Sequence, residues 1–124
     1  MLNTIIILLG IITGMQEFRA TADVPAMTTN KALETIASAG AMNPTNIGPF
    51  VLSALSAAKE PFDSFAYIAV DTSKTTDPFG DIVGSKAIRS MLTRKAMCRY
   101  GISTYKKVVF VILTCQSPNA LHKA

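Results

Sequence analysis

The chain has 124 residues, enough for one small domain, and a composition of 49% apolar and 16% charged residues excludes disorder by composition. Its net charge of +4 hides a division: residues 23–84 carry seven acids and three bases, whereas residues 85–124 carry eight bases and no acid. A basic block attracts nucleic acid, anionic lipid or acidic protein, but no interleaving of Arg or Lys with aromatics points to a nucleic-acid module.

Residues 1–16 contain no charged side chain, and Ile5–Ile12 is an apolar core of signal-peptide length. Ala20-Thr21-Ala22 supplies a small-x-small cleavage site, so the expected leader is 1–22 and the expected mature start is Asp23, which implies a secreted, extracellular protein. The alternative is an uncleaved anchor, for which the run is short. A helical segment is expected over 23–61. Asn30 can cap a helix that Gly40 stops, and Asn46 can cap a second one over Ile47–Lys59 that Pro61 ends.

Phe65–Val70 is apolar nearly throughout, the pattern of a strand covered on both faces. A polar loop, Asp71–Pro78, follows. Ile82, Val83, Ala87, Ile88, Met91 and Leu92 then recur at helical spacing. Arg99–Tyr105 and Val108–Leu113 read as two strands. A hairpin folded between Lys106 and Lys107 pairs Tyr105 with Val108, Ser103 with Phe110 and Cys98 with Cys115. That register predicts a Cys98–Cys115 disulfide in an oxidising compartment. Ser117 and Pro118 can open a last helix. The fold class is therefore α/β: a partial doubly wound, Rossmann-like sheet of strand–helix–strand plus antiparallel hairpin, preceded by short helices. The strand–helix–strand unit is expected to form a right-handed parallel pair.

Asp71, Ser73 and Thr75 stand where the first strand ends, the place where open α/β sheets bind ligands. One carboxylate and two hydroxyls form a hard oxygen set suited to Mg²⁺ or another divalent cation. The alternative is that they cap the following helix. No other constellation carries chemistry. His122 is the only histidine and sits in the tail, so no nucleophile–base pair is arranged. One histidine and two distant cysteines do not make a usual zinc set, and no Gly-rich phosphate loop is present. No catalytic residue is assigned, and a non-enzymatic role without a small-molecule substrate is expected.

Over residues 62–124 the order of motifs resembles the first half of a von Willebrand factor type A domain. Asp71-x-Ser73-x-Thr75 is similar to that family's metal-ion-dependent adhesion motif, with Thr75 for the last Ser. Phe79, Ile82 and Val83 follow as in its first helix, and Arg99-Tyr100-Gly101-Ile102-Ser103-Thr104-Tyr105 resembles its second strand. Phe110-Val111-Ile112, Gln116-Ser117 and Leu121-His122-Lys123-Ala124 keep the later spacing. The resemblance implies metal-dependent adhesion to an extracellular protein ligand, with Asp71, Ser73 and Thr75 as cation ligands. The family's distal ligands fall beyond Ala124, which implies an incomplete site and an exposed sheet edge through which the chain would dimerise. The competing expectation is a membrane-peripheral protein that applies Arg89, Arg94, Lys95 and Arg99 to anionic surfaces.

Overall fold

The computed structural model describes residues 2–117, with side chains from Ile5 onward. Helix α1 (Leu2–Thr21) leads to a two-residue strand β1 (Thr28–Thr29), then α2 (Lys31–Met42) and α3 (Gly48–Ala57). Strand β2 (Ser64–Asp71), helices α4 (Pro78–Gly84) and α5 (Lys86–Leu92), and strands β3 (Met97–Tyr105) and β4 (Val108–Gln116) complete it. The strands form one sheet in the order β1-β3-β4-β2. Elements from both halves of the chain thus share a sheet. One apolar cluster joins α2 and α3 to Phe110 and Ile112. The other joins Ile11 and Met15 of α1 to Ile82, Ile88, Met91, Val109, Val111 and Leu113. Successive residues of a strand face opposite sides, so helices cover both faces of β4.

The mixed α/β class is as expected, but the pairing is not. β2 and β3 are not neighbours; β4 lies between them and is antiparallel to both. The parallel pair is β1 with β3. The β3–β4 hairpin itself keeps the expected register, with Tyr105 opposite Val108, Ser103 opposite Phe110 and Cys98 opposite Cys115. The two cysteines form a disulfide. Lys106 turns the chain with φ 55°, a left-handed conformation that is uncommon for a non-glycine residue, and its ammonium lies 5.4 Å from the Tyr105 ring centroid.

Local differences have local causes. Asn30 caps α2 as expected, accepting from the Leu33 N–H at 2.8 Å. Gly40 does not stop that helix, which continues to Met42. A Cβ at Gly40 would lie 2.6 Å from the Phe110 ring, so the glycine lets the helix lie on β4. Gly101 does the same for β3: a Cβ there would come within 2.3 Å of the Leu33 carbonyl oxygen. Asn46 does not cap α3. It closes a 3-10 turn, and Ile47 occupies the cap position without a side-chain bond. The single helix expected after the polar loop is two, because Ser85 leaves helical geometry and caps α5. The helix expected from Ser117 onward falls mainly outside the described residues.

The segment expected as a leader is helix α1, packed on α4, α5 and β3. Ile11 and Met15 are buried, and the Arg19 side chain is fully enclosed. Its guanidinium donates to the carbonyls of Pro25, Met91, Arg94 and Ala96 and to Cys98 Sγ. Arg19 therefore fastens α1 to the connection between α5 and β3, and burial pushes its pKa below the ordinary value. A chain starting at Asp23 would lack all these contacts. Among the described residues no helix is long and apolar enough to cross a membrane.

Candidate functional site

Three places bear on function: the Asp71 corner, a polar cluster around Glu60, and the outer edge of β2. The corner is where β2 ends and a 3-10 turn, Thr72–Lys74, begins. Asp71 Oδ1 accepts from the Ser73 N–H at 2.9 Å and the Ser73 hydroxyl at 2.6 Å. Those bonds, the hydroxyl's first, hold the Asp71 carboxyl below the usual carboxylate range, with a smaller contribution from the charges of Lys74 and Lys107. Thr75 Oγ1 accepts from the Asp77 N–H at 3.1 Å, and Asp77 in turn caps α4 through Gly80. The three oxygens expected to converge on a cation are thus engaged in consecutive caps of their own loop. Short polar side chains do this wherever the chain leaves a strand for a helix. Among the described residues no cluster of three His, Cys, Asp or Glu side chains is placed to hold a metal. In this arrangement Asp71 Oδ1 and Thr75 Oγ1 each accept a backbone N–H of the same loop.

Glu60 is buried among three donors. Asn30 Nδ2 reaches Oε1 at 2.8 Å, Arg99 Nη1 reaches the same oxygen at 3.4 Å, and the Thr114 hydroxyl reaches Oε2 at 3.1 Å. A cavity of about 120 Å³ lies beside it, lined by Thr28, Pro61, Met97, Arg99, Thr114 and Gln116 among others. The carboxylate joins the α2 cap to β3 and β4. A buried acid with three donors is satisfied, and this one acts as a structural tie. No sequence motif marks it, because its partners come from three separate elements.

The basic block is dispersed. Arg94 pairs with Asp63 and also donates to Ser64, and Arg99 pairs with Glu60. Two of the four cations expected at an anionic surface are therefore bound to the acidic half. Lys86, Arg89 and Lys95 are exposed. The Arg94 hydrogen bond, with the Ser117 N–H, holds the Asp63 carboxyl at about 2.

In the sequence the outer edge of β2 is implied only as the exposed sheet edge of a half-fold. β2 pairs with β4 over eight consecutive positions, from Ser64–Cys115 to Asp71–Val108, and among the described residues no strand flanks it on its other side. The Thr72 N–H donates to the Lys107 carbonyl at 2.7 Å, which continues the ladder. Hydrogen-bonded positions alternate in an antiparallel pair. Ala66, Ile68 and Val70 therefore direct their N–H and C=O groups to β4, while Phe65, Tyr67 and Ala69 direct theirs outward. Within Phe65–Val70 there is no proline and no charge, the devices that usually protect an edge. Tyr67 stacks between Phe65 and Phe110 and is 37% exposed. Its hydroxyl lies against Gly48 at the start of α3, the helix whose Phe50 and Leu52 are also exposed.

No family model and no curated protein matches the chain. Solved structures do. A cysteine-rich secretory protein from Staphylococcus aureus superposes with a TM-score of 0.70 at 15% identity, over 87% of this chain and 38% of that one. An outer surface protein from Borrelia burgdorferi superposes with a TM-score of 0.68 at 14% identity, over 90% of this chain and 92% of that one. The chain thus spans well under half of the staphylococcal protein and nearly all of the Borrelia one. At these identities the likeness is one of fold.

Proposed function

We propose that this chain is a protein-binding domain acting outside the cytoplasm, and that it binds by accepting an extended strand at the edge of β2. The observation that carries the reading is the row of outward N–H and C=O groups at Phe65, Tyr67 and Ala69, beside the exposed ring of Tyr67. Main-chain bonds supply affinity in such strand addition, and pockets for alternate side chains supply selectivity. The disulfide supports an oxidising compartment. The fold neighbours, one named as secretory and one as an outer surface protein, support the same location. The reading keeps the expected class, adhesion-type binding to an extracellular protein. It relocates the contact from the Asp71 corner to the strand beside it.

The test is a titration of an extended, alternating Thr-Val octapeptide into isotope-labelled protein, followed by amide NMR. Shifts should concentrate at Phe65, Tyr67 and Ala69 and should shrink at least tenfold in an Ala69→Lys variant that retains the wild-type melting curve. Shifts centred on another surface, or none in the monomeric protein, would remove this function.

A further inference from the structure

We propose that the strand added to β2 is β2 of a second copy, related by a two-fold axis through Tyr67 and perpendicular to the sheet. The inference rests on the strand-addition reading and names its partner. Such an axis makes paired strands antiparallel and keeps the same sheet face upward in both copies. It therefore pairs odd residues only with odd ones and even with even. The outward groups all belong to odd residues, so the edge offers itself a complete set of partners. With the axis on Tyr67, Tyr67 exchanges both bonds with Tyr67 of the second copy, and Phe65 does so with Ala69. Six hydrogen bonds join the two sheets into one of eight strands.

Side chains select this register over its nearest neighbour. Centred on Tyr67, large faces small: Phe65 lies opposite Ala69, and Ala66 opposite Ile68. The exposed tyrosines meet at the axis and extend the row of Phe65, Tyr67 and Phe110 rings. Asp71, with Lys74 and Lys107 near it, comes opposite Asp63 of the second copy, which carries its Arg94, so both signs of charge meet at each end. Centred on Ile68, the Phe65 ring would face the Asp71 carboxylate. The opposite edge of the sheet, β1, has two residues and offers no comparable template. The contact is therefore isologous and closes at two copies instead of growing into a fibre.

The experiment combines sedimentation with cysteine cross-linking on the full chain, its native disulfide intact. Wild type should sediment as a concentration-dependent dimer, and Ala69→Lys should raise the dissociation constant at least tenfold. Under mild oxidation Tyr67→Cys should form a covalent dimer, because directly paired Cα atoms lie about 5.5 Å apart and within disulfide range. Ala69→Cys alone should not, since its copies would sit four residues out of register. Cross-linking through Ile68→Cys in place of Tyr67→Cys overturns the register. A wild type that stays monomeric while still binding the Thr-Val octapeptide at β2 overturns the dimer and leaves the strand-addition reading standing. A monomer that binds no peptide overturns both.

Discussion

Strands β2 and β4 are alike in composition and opposite in circumstance. Phe65–Val70 and Val108–Leu113 are both short apolar runs without charge or proline. β4 lies between two neighbours, and Val109 through Cys115 are buried without interruption. Among the described residues β2 has one neighbour, and its Tyr67 and Ala69 reach the surface. An apolar run states that a strand is covered on its faces. It does not state how many edges are paired, because edges are closed by backbone bonds that carry no side-chain signature. The difference lies wholly at the level of topology, and it separates the strand paired on both edges from the strand paired on one.

The comparison breaks most sharply if a charge is placed in each strand. Ile112, fully buried and paired on both sides, should not tolerate Ile112→Asp. An unpaired buried carboxylate belongs to the largest class of single-site losses, about 4–5 kcal/mol or more, and thermal unfolding should lose its cooperative transition. The next largest effect concerns the layer beneath β4. Arg19→Met leaves four carbonyls without their shared donor, and since each buried acceptor left unsatisfied costs about 1–3 kcal/mol, urea denaturation should show a loss of about 3 kcal/mol or more. A wild-type denaturation midpoint in this variant would show that α1 is dispensable to the fold and would favour its reading as a leader.

The third effect isolates the β3 side of β4. Replacing Cys98 and Cys115 together by alanine removes a link across 17 residues, worth about 3 kcal/mol in the chain-entropy model. The β2 side has no such link, so the β2–β4 pairing should be read out unchanged by NMR in the folded fraction. The smallest effect concerns the tie at the start of β2. Asp63 titrates at about 2 in the folded protein against 3.8 ordinarily. A depressed carboxyl stabilises the fold above its unfolded pKa, and that contribution fades as pH falls through the folded value. Between pH 4 and pH 2 wild type should therefore lose more stability than Asp63→Asn, as measured by melting temperature.

How much of this was legible follows from range. The hairpin register was readable to the residue, because two adjacent strands and a short turn leave few ways to pair, and Cys98 falls opposite Cys115 in the register that results. Asn30 was readable as a cap because the bond spans three residues. The position of β4 between β2 and β3 was not, since β2 and β4 are separated by the whole α4–α5 segment and either neighbour suited their side chains. The Asp71 corner was legible as a cluster of oxygens with capping as one of its two readings, because the same side chains serve a cation or a backbone N–H equally well. In the sequence Arg19 is a single charge beside the expected cleavage site. Its five partners come from Pro25 and from residues 91–98, and a sequence shows nothing of that convergence.

The central claim is that β2 presents a free edge, and amide hydrogen exchange tests it most directly. At a dilution where the protein is monomeric, exchange should alternate along the strand. The N–H groups of Ala66, Ile68 and Val70, bonded to β4, should be strongly protected, while those of Phe65, Tyr67 and Ala69 exchange near the rate of free peptide. Equal protection of all six in the monomer would mean that another part of the chain already covers this edge, and would contradict the account.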